Sequence, residues 1–146
     1  MTGRFPYKKL TEYPHLAPGD VKLWERFIDA YPDEYQSVDY DEHIGEGVPP
    51  PLDTPPNEYT EDVQHLTKKR MDVCGYRAEG TVDCIEVRPR AGSSAVGAVL
   101  INHRLFQNDH MQFKCRKLLI TDHCQPDIKE FCAINEVRIV ELNSKE

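Results

Sequence analysis

The stretch from Arg70 to Leu142 constrains this chain most, because its hydrophobic pattern changes period several times within the length of one domain. Residues 70–77 and 81–88 read as strands joined through Glu79-Gly80, a tight turn, and so predict a β-hairpin. Pro89 is expected to end that ladder, and Gly92-Ser93-Ser94 to open a buried helix carrying Ala95, Val96, Val99, Leu100 and Phe106. Residues 117–121 form a short apolar run of the kind found inside parallel sheets. A helix over 125–135, with Pro126 in its first turn, and a strand over 137–142 complete a βαβαβ succession. That succession implies right-handed crossovers and parallel pairing, and the hairpin before it makes the sheet mixed.

The upstream half is less regular. Residues 1–19 hold Pro6, Pro14, Pro18 and Gly19 and predict an irregular, extended arm. Asp20 reads as the N-cap of a helix with Val21, Trp24, Phe27 and Ile28 at helical spacing, stopped by Pro32. Residues 37–44 alternate as a strand, 48–57 form a loop with five prolines, and 58–69 suit a short polar helix. The expected fold is α/β: a single domain over 20–146, a central mixed β-sheet flanked by helices, with the acidic arm laid against it.

Charge divides the chain. Residues 11–62 carry 14 acidic and 2 basic side chains, a net of −12, whereas residues 68–117 carry 10 basic and 5 acidic, a net of +5. The asymmetry can bring the arm onto its own core or onto a neighbouring copy. The overall net of −7 disfavours a general nucleic-acid binder. No stretch approaches the ~20 apolar residues of a membrane helix, and the first residues lack an apolar signal core, so no membrane partner is expected. Five cysteines without a Cys-x-x-Cys pair point to reduced, buried thiols rather than zinc or a disulfide framework.

Chemistry concentrates on the hairpin. Asp72 and Glu86 lie at similar distances from the turn, and Arg88 shares a face with Glu86. Two neighbouring carboxylates, completed by water and phosphate oxygens, are what Mg²⁺ requires. Simpler readings stand beside this one. Asp72 can pair across the strands with Lys68, Arg70 or Arg88, and Glu86, Arg88 and Arg90 can form an ordinary exposed face. Glu25 suits a surface position, His103-Arg104 a polar helix face, and Ser93-Ser94 a helix cap.

Asp72, then Glu86-Val87-Arg88 on an adjoining strand, then a helix rich in small residues, resembles the PD-(D/E)XK, restriction-endonuclease-like superfamily. Tyr13-Pro14-His15-Leu16, Trp24-Glu25-Arg26-Phe27, Asp72-Val73-Cys74-Gly75-Tyr76-Arg77 and Ile85-Glu86-Val87-Arg88-Pro89-Arg90-Ala91-Gly92 resemble small unassigned proteins of tailed phages. The resemblance implies an αβββαβαβ-like core, with Asp72 and Glu86 as metal carboxylates, Glu25 as an acid added from the first helix, and Arg88 where the superfamily places a catalytic Lys. Arg88 stays protonated and cannot exchange a proton as a Lys can. Ala98 stands where related nucleases often place a Gln.

Three functions follow. The first is a tailed-phage virion protein, a neck or head–tail connector or tail adaptor without activity or cofactor. It would associate with other virion proteins and copies of itself through an arm exposing Tyr7, Tyr13, Tyr31, Tyr35 and Tyr59. The second is a Mg²⁺-dependent DNA nuclease, with Arg88 on the phosphate. The third is an intracellular regulatory module whose acidic arm binds a basic protein or imitates DNA.

Overall fold

The computed structural model describes residues 3–49, 52–53, 55, 57–58, 60–61 and 69–143. Most of the helix expected over 58–69 and part of the proline-rich loop over 48–57 lie outside the described residues, as do Tyr59 and Lys68; Glu58, Thr60 and Glu61 are helical, whereas Lys69 already belongs to a strand. Asn57 Oδ1 does accept the Thr60 N–H at 3.0 Å, the contact an N-cap makes.

A six-stranded sheet in the order β1-β2-β3-β4-β5-β6 organises the chain. Its strands are β1 (Phe5–Pro6), β2 (Ser37–Ile44), β3 (Lys69–Tyr76), β4 (Thr81–Ala91), β5 (Lys114–Cys124) and β6 (Val137–Glu141). The first four pair antiparallel and β4, β5 and β6 pair parallel, so the sheet is mixed, as the pattern of periods predicts. Three helices flank it among the described residues: α1 (Pro18–Ala30), α2 (Ser93–Asp109) and α3 (Pro126–Ile134). Glu79 and Gly80 turn the β3–β4 hairpin with φ of 64° and 75°, a backbone region that glycine enters without steric cost.

Two aromatic and aliphatic layers hold the helices down. Leu23, Trp24, Phe27 and Ile28 of α1 pack with Val73, Ile85, Val87, Leu118 and Ile120 of the sheet. Full burial of Trp24 and Phe27 contributes about 1.5–3 kcal/mol each. On the other face, Ala95, Val96 and Val99 of α2 meet Leu119, Cys132 and Val137, while Phe106 meets Ile44, Met71, Cys74, Tyr76 and Cys84. Asp41, at φ 53°, reorients β2, so Val38 and Tyr40 face α1 whereas Ile44 joins the cluster beneath α2. Gly75 is demanded by its neighbour, since a Cβ there would sit 2.6 Å from the buried Tyr35 ring.

Several sequence expectations are corrected here. Residues 1–19 are not wholly irregular: Phe5 and Pro6 form β1 on Val38 and Ser37. The arm tyrosines are not free for a partner. Tyr7 lies against Trp24 and Tyr35, with centroids 5.9 and 5.3 Å away, and Tyr13 meets Tyr40 edge-on at 5.4 Å. Tyr31 packs on Phe27 and Tyr35 is 6% exposed. A six-stranded sheet offers more apolar surface than α1 alone covers, and the arm covers the remainder.

Asp20 does not cap α1. Ala17 takes that position, with Pro18 in the first turn, where a missing N–H costs nothing. Gly92 likewise takes the cap position of α2, leaving Ser93 and Ser94 inside the first turn. Pro89 does not end β4, which continues to Ala91 along β5 through Arg88↔Thr121 and Arg90↔His123. The β3 ladder has already ended at Val73↔Ile85, so Pro89 sits where β4 is an edge on one side, a position proline tolerates. β5 outruns its apolar centre at both ends because ladder bonds to β4 carry its polar ends. All five cysteines are free thiols, four of them buried, as expected.

Candidate functional site

The Val73↔Ile85 pairing places Asp72 next in register with Glu86, but the ladder stops there. The strands part, and the Asp72 carboxylate takes the Val87 N–H at 3.1 Å in place of a backbone acceptor. Asp72 is therefore fixed by β4 rather than solvated, which rules out a simple exposed cross-strand ion pair. Glu86 is 2% exposed, so the ordinary exposed face does not hold for it. Its Oε2 accepts Arg88 Nε at 2.7 Å and lies 2.5 Å from Arg88 Nη2.

These residues line a cleft of about 370 Å³ over the middle of β3 and β4, together with Lys69, Arg70, Ser94, Gly97, Ala98, Ile101 and Asn102. The cleft floor is acidic and its rim holds Lys69, Arg70 and Arg88. Ala98 does line the cleft, at the place where the superfamily resemblance leads one to expect Gln.

The electrostatics of the floor are unfavourable to its own charges. Burial pushes the Glu86 carboxyl up to about 7, and the nearby Asp72 charge adds to this against the opposing pull of Arg88. Burial also raises Asp72, partly offset by the Val87 N–H and by Arg88. A hydrogen bond with Glu86 also pulls Asp72 down, so the two carboxyls titrate as a coupled pair. Arg88 is held more firmly charged than usual: burial works against it, and Glu86, Asp72 and Asp20 outweigh that.

Asp20 is the acid that the first helix contributes. It raises both Asp72 and Glu86 electrostatically, and burial raises its own carboxyl in turn, partly offset by Arg88. Glu25 is placed elsewhere: its Oε2 accepts the Tyr13 hydroxyl at 2.8 Å. Helical spacing separates the two, since Asp20 stands four and seven residues before Trp24 and Phe27 on the buried face, and Glu25 does not. Asn102 was also not anticipated. His103 is drawn into the fold, its Nε2 2.9 Å from the Cys115 carbonyl.

Among the described residues, no three His, Cys, Asp or Glu side chains converge closely enough to hold a metal by themselves. The donors present fit Mg²⁺ or Mn²⁺ rather than a softer ion: two carboxylates that repel each other, in an open cleft with room for water. A cation bound between Asp72 and Glu86 would oppose the burial and the Asp72 charge that raise the Glu86 carboxyl.

No family model matches this sequence, and no curated protein matches it. Among solved structures, the chain is similar to a repair endonuclease from Pyrococcus abyssi, with a TM-score of 0.55 and 14% identity. The alignment covers 92% of this chain and 50% of that one, so the chain spans about half the length of its structural neighbour. The likeness shows the fold: this is a nuclease-like α/β domain.

Proposed function

We propose that the chain is a divalent-cation-dependent nuclease acting on DNA phosphodiesters at the Asp72–Glu86 cleft. The observation that carries this reading is the juxtaposition of a partly buried Asp72 on β3 with a buried Glu86 on β4, whose proton is favoured by the Asp72 charge, beneath a rim of Lys69, Arg70 and Arg88. The nuclease-like fold agrees with it. Asp72 and Glu86 would hold the cation, which supplies Lewis-acid activation of water and of the phosphate. The Val87 N–H fixes Asp72, so its carboxylate needs no reordering on binding. Arg88 reaches both Glu86 and the cleft, and its planar fork suits a phosphate oxygen once the cation neutralises Glu86.

One observation favours a second reading, a nuclease-like scaffold retained without activity, as in a virion connector or tail protein. Arg88, which never gives up its proton, stands where a Lys is expected and closes on Glu86.

A plasmid-cleavage assay with Mg²⁺ or Mn²⁺, run alongside calorimetric Mn²⁺ binding, separates the two. The nuclease reading expects cation binding and cleavage in the native chain, both lost in Asp72→Ala and in Glu86→Ala. Binding without cleavage favours the silent scaffold, and neither binding nor cleavage removes the metal site altogether.

A further inference from the structure

Asn102 occupies a position that the packing of α2 reserves for an apolar side chain. The buried residues of that helix are Ala95, Val96, Val99, Asn102 and Phe106, a stripe facing the sheet in which Asn102 is the one polar member. It is 6% exposed. Withdrawing a carboxamide from water without partners costs on the order of 1–3 kcal/mol in proteins, so a buried Asn is ordinarily well bonded. Here the bonding is poor. Nδ2 donates to the Arg70 carbonyl at 3.5 Å, the outer limit of such a bond, and Oδ1 accepts no hydrogen bond. The donor to Arg70 fixes which way the amide points, since the reverse orientation would set Oδ1 against a carbonyl oxygen. The side chain lines the same cleft as Asp72 and Glu86.

A free acceptor beside two carboxylates repels phosphate oxygen and attracts a donor. We infer that the Asn102 carboxamide is the acceptor that orients a water of the hydrated divalent cation in the Asp72–Glu86 cleft. This rests on the metal-binding reading above and adds a positioning residue to it. Asn102 touches neither carboxylate and acts through the water it holds. Its burial keeps the side chain in one place, and its marginal bond to Arg70 leaves Oδ1 committed to the cleft.

Asn102→Leu tests this, because leucine has a similar volume and suits an apolar stripe. Mn²⁺ binding is measured by calorimetry at pH 8, and thermal unfolding in a chelator, for the native chain, Asn102→Leu, Asn102→Asp and Asp72→Ala. The expected result is an unchanged or raised Tm for Asn102→Leu with Mn²⁺ affinity reduced about 10- to 100-fold, the usual effect of losing an outer partner of a metal site. Asn102→Asp, which keeps Oδ1, is expected to retain binding. Native affinity in Asn102→Leu, alongside lost affinity in Asp72→Ala, overturns the role of Asn102 and leaves the metal site standing. Absence of binding in the native chain overturns both. If Asn102→Leu does not fold, Asn102→Ala is measured in its place under the same expectations.

Discussion

Asp83 and Glu86 stand three residues apart on β4, both almost fully buried, and their surroundings push them in opposite directions. Asp83 is 1% exposed and accepts from the Tyr35 hydroxyl at 2.7 Å, Arg77 Nε at 3.2 Å and Arg116 Nε at 2.7 Å. Burial raises its carboxyl, but Arg116, Tyr35 and Arg77 outweigh this and hold it below the usual carboxylate range. Its stabilising contribution is therefore present above the ordinary Asp range and is lost as pH falls through the lowered value. Asp83→Ala leaves Arg77 and Arg116 without their shared partner, and denaturant unfolding at pH 7 is expected to show a loss of about 3 kcal/mol. Glu86 runs the other way. The folded state keeps its proton between the ordinary Glu value of 4.5 and about 7, so this group's contribution falls as pH rises across that window. Glu86→Gln is expected to abolish that decline and to raise the metal-free stability at pH 8 by no more than about 3 kcal/mol. In the native chain, Mn²⁺ affinity should rise from pH 5 to pH 8 as the Glu86 proton leaves. A pH-independent affinity would remove Glu86 from the cation site. One carboxyl is held charged by three donors and the other is pushed toward its neutral form, the contrast expected if Asp83 is structural and Glu86 serves the proposed cation site.

At the scale of elements, the arm is the least expected component. Its proline content predicts irregular chain, yet β1 extends the sheet, Arg4 pairs with Asp39 and Glu42, and Lys9 pairs with Asp29. The exposed pairs among these contribute little individually. Phe5 and Tyr7 matter more, since they close the aromatic layer over Trp24, Tyr35 and Tyr40. Removing residues 1–9 is expected to cost about 3 kcal/mol or more, read as a lowered Tm with increased binding of a hydrophobic dye. An unchanged Tm would show that the arm rests on the sheet without holding it. The hairpin was legible because Glu79-Gly80 is a turn signal between two β-patterned runs. The parting of β3 and β4 beyond Ile85 was not legible. It depends on the Asp72 side chain replacing a ladder bond, and no periodicity encodes that.

Over the whole molecule, the two oppositely charged halves are folded together. Glu34 pairs with Arg77 and Arg138, Asp41 with Arg70, and the Asp20 charge acts on Arg88. Part of the acidic segment is thereby paired within the fold. What remains around the cleft is a small cationic rim on an acidic protein. DNA binding in Ca²⁺, measured by anisotropy, is expected to be weak and to fall steeply between 50 and 200 mM salt. Binding indifferent to salt would place the contact away from Lys69, Arg70 and Arg88.

The sequence by itself determined the fold class and the order of the elements from β3 to β6, because hydrophobic period and turn residues are local signals; it missed β1. It also singled out Asp72, Glu86 and Arg88, whose positions follow from counting outward from one turn. Only the tertiary structure decided which other side chains join them. Asp20 rather than Glu25 acts electrostatically on Asp72, Glu86 and Arg88 because α1 begins at Pro18 and turns the Asp20 face toward the sheet. Asn102 reaches the cleft because α2 lies across the parted strands. Both outcomes rest on helix rotation and packing between distant segments, which long-range contacts set and local pattern does not.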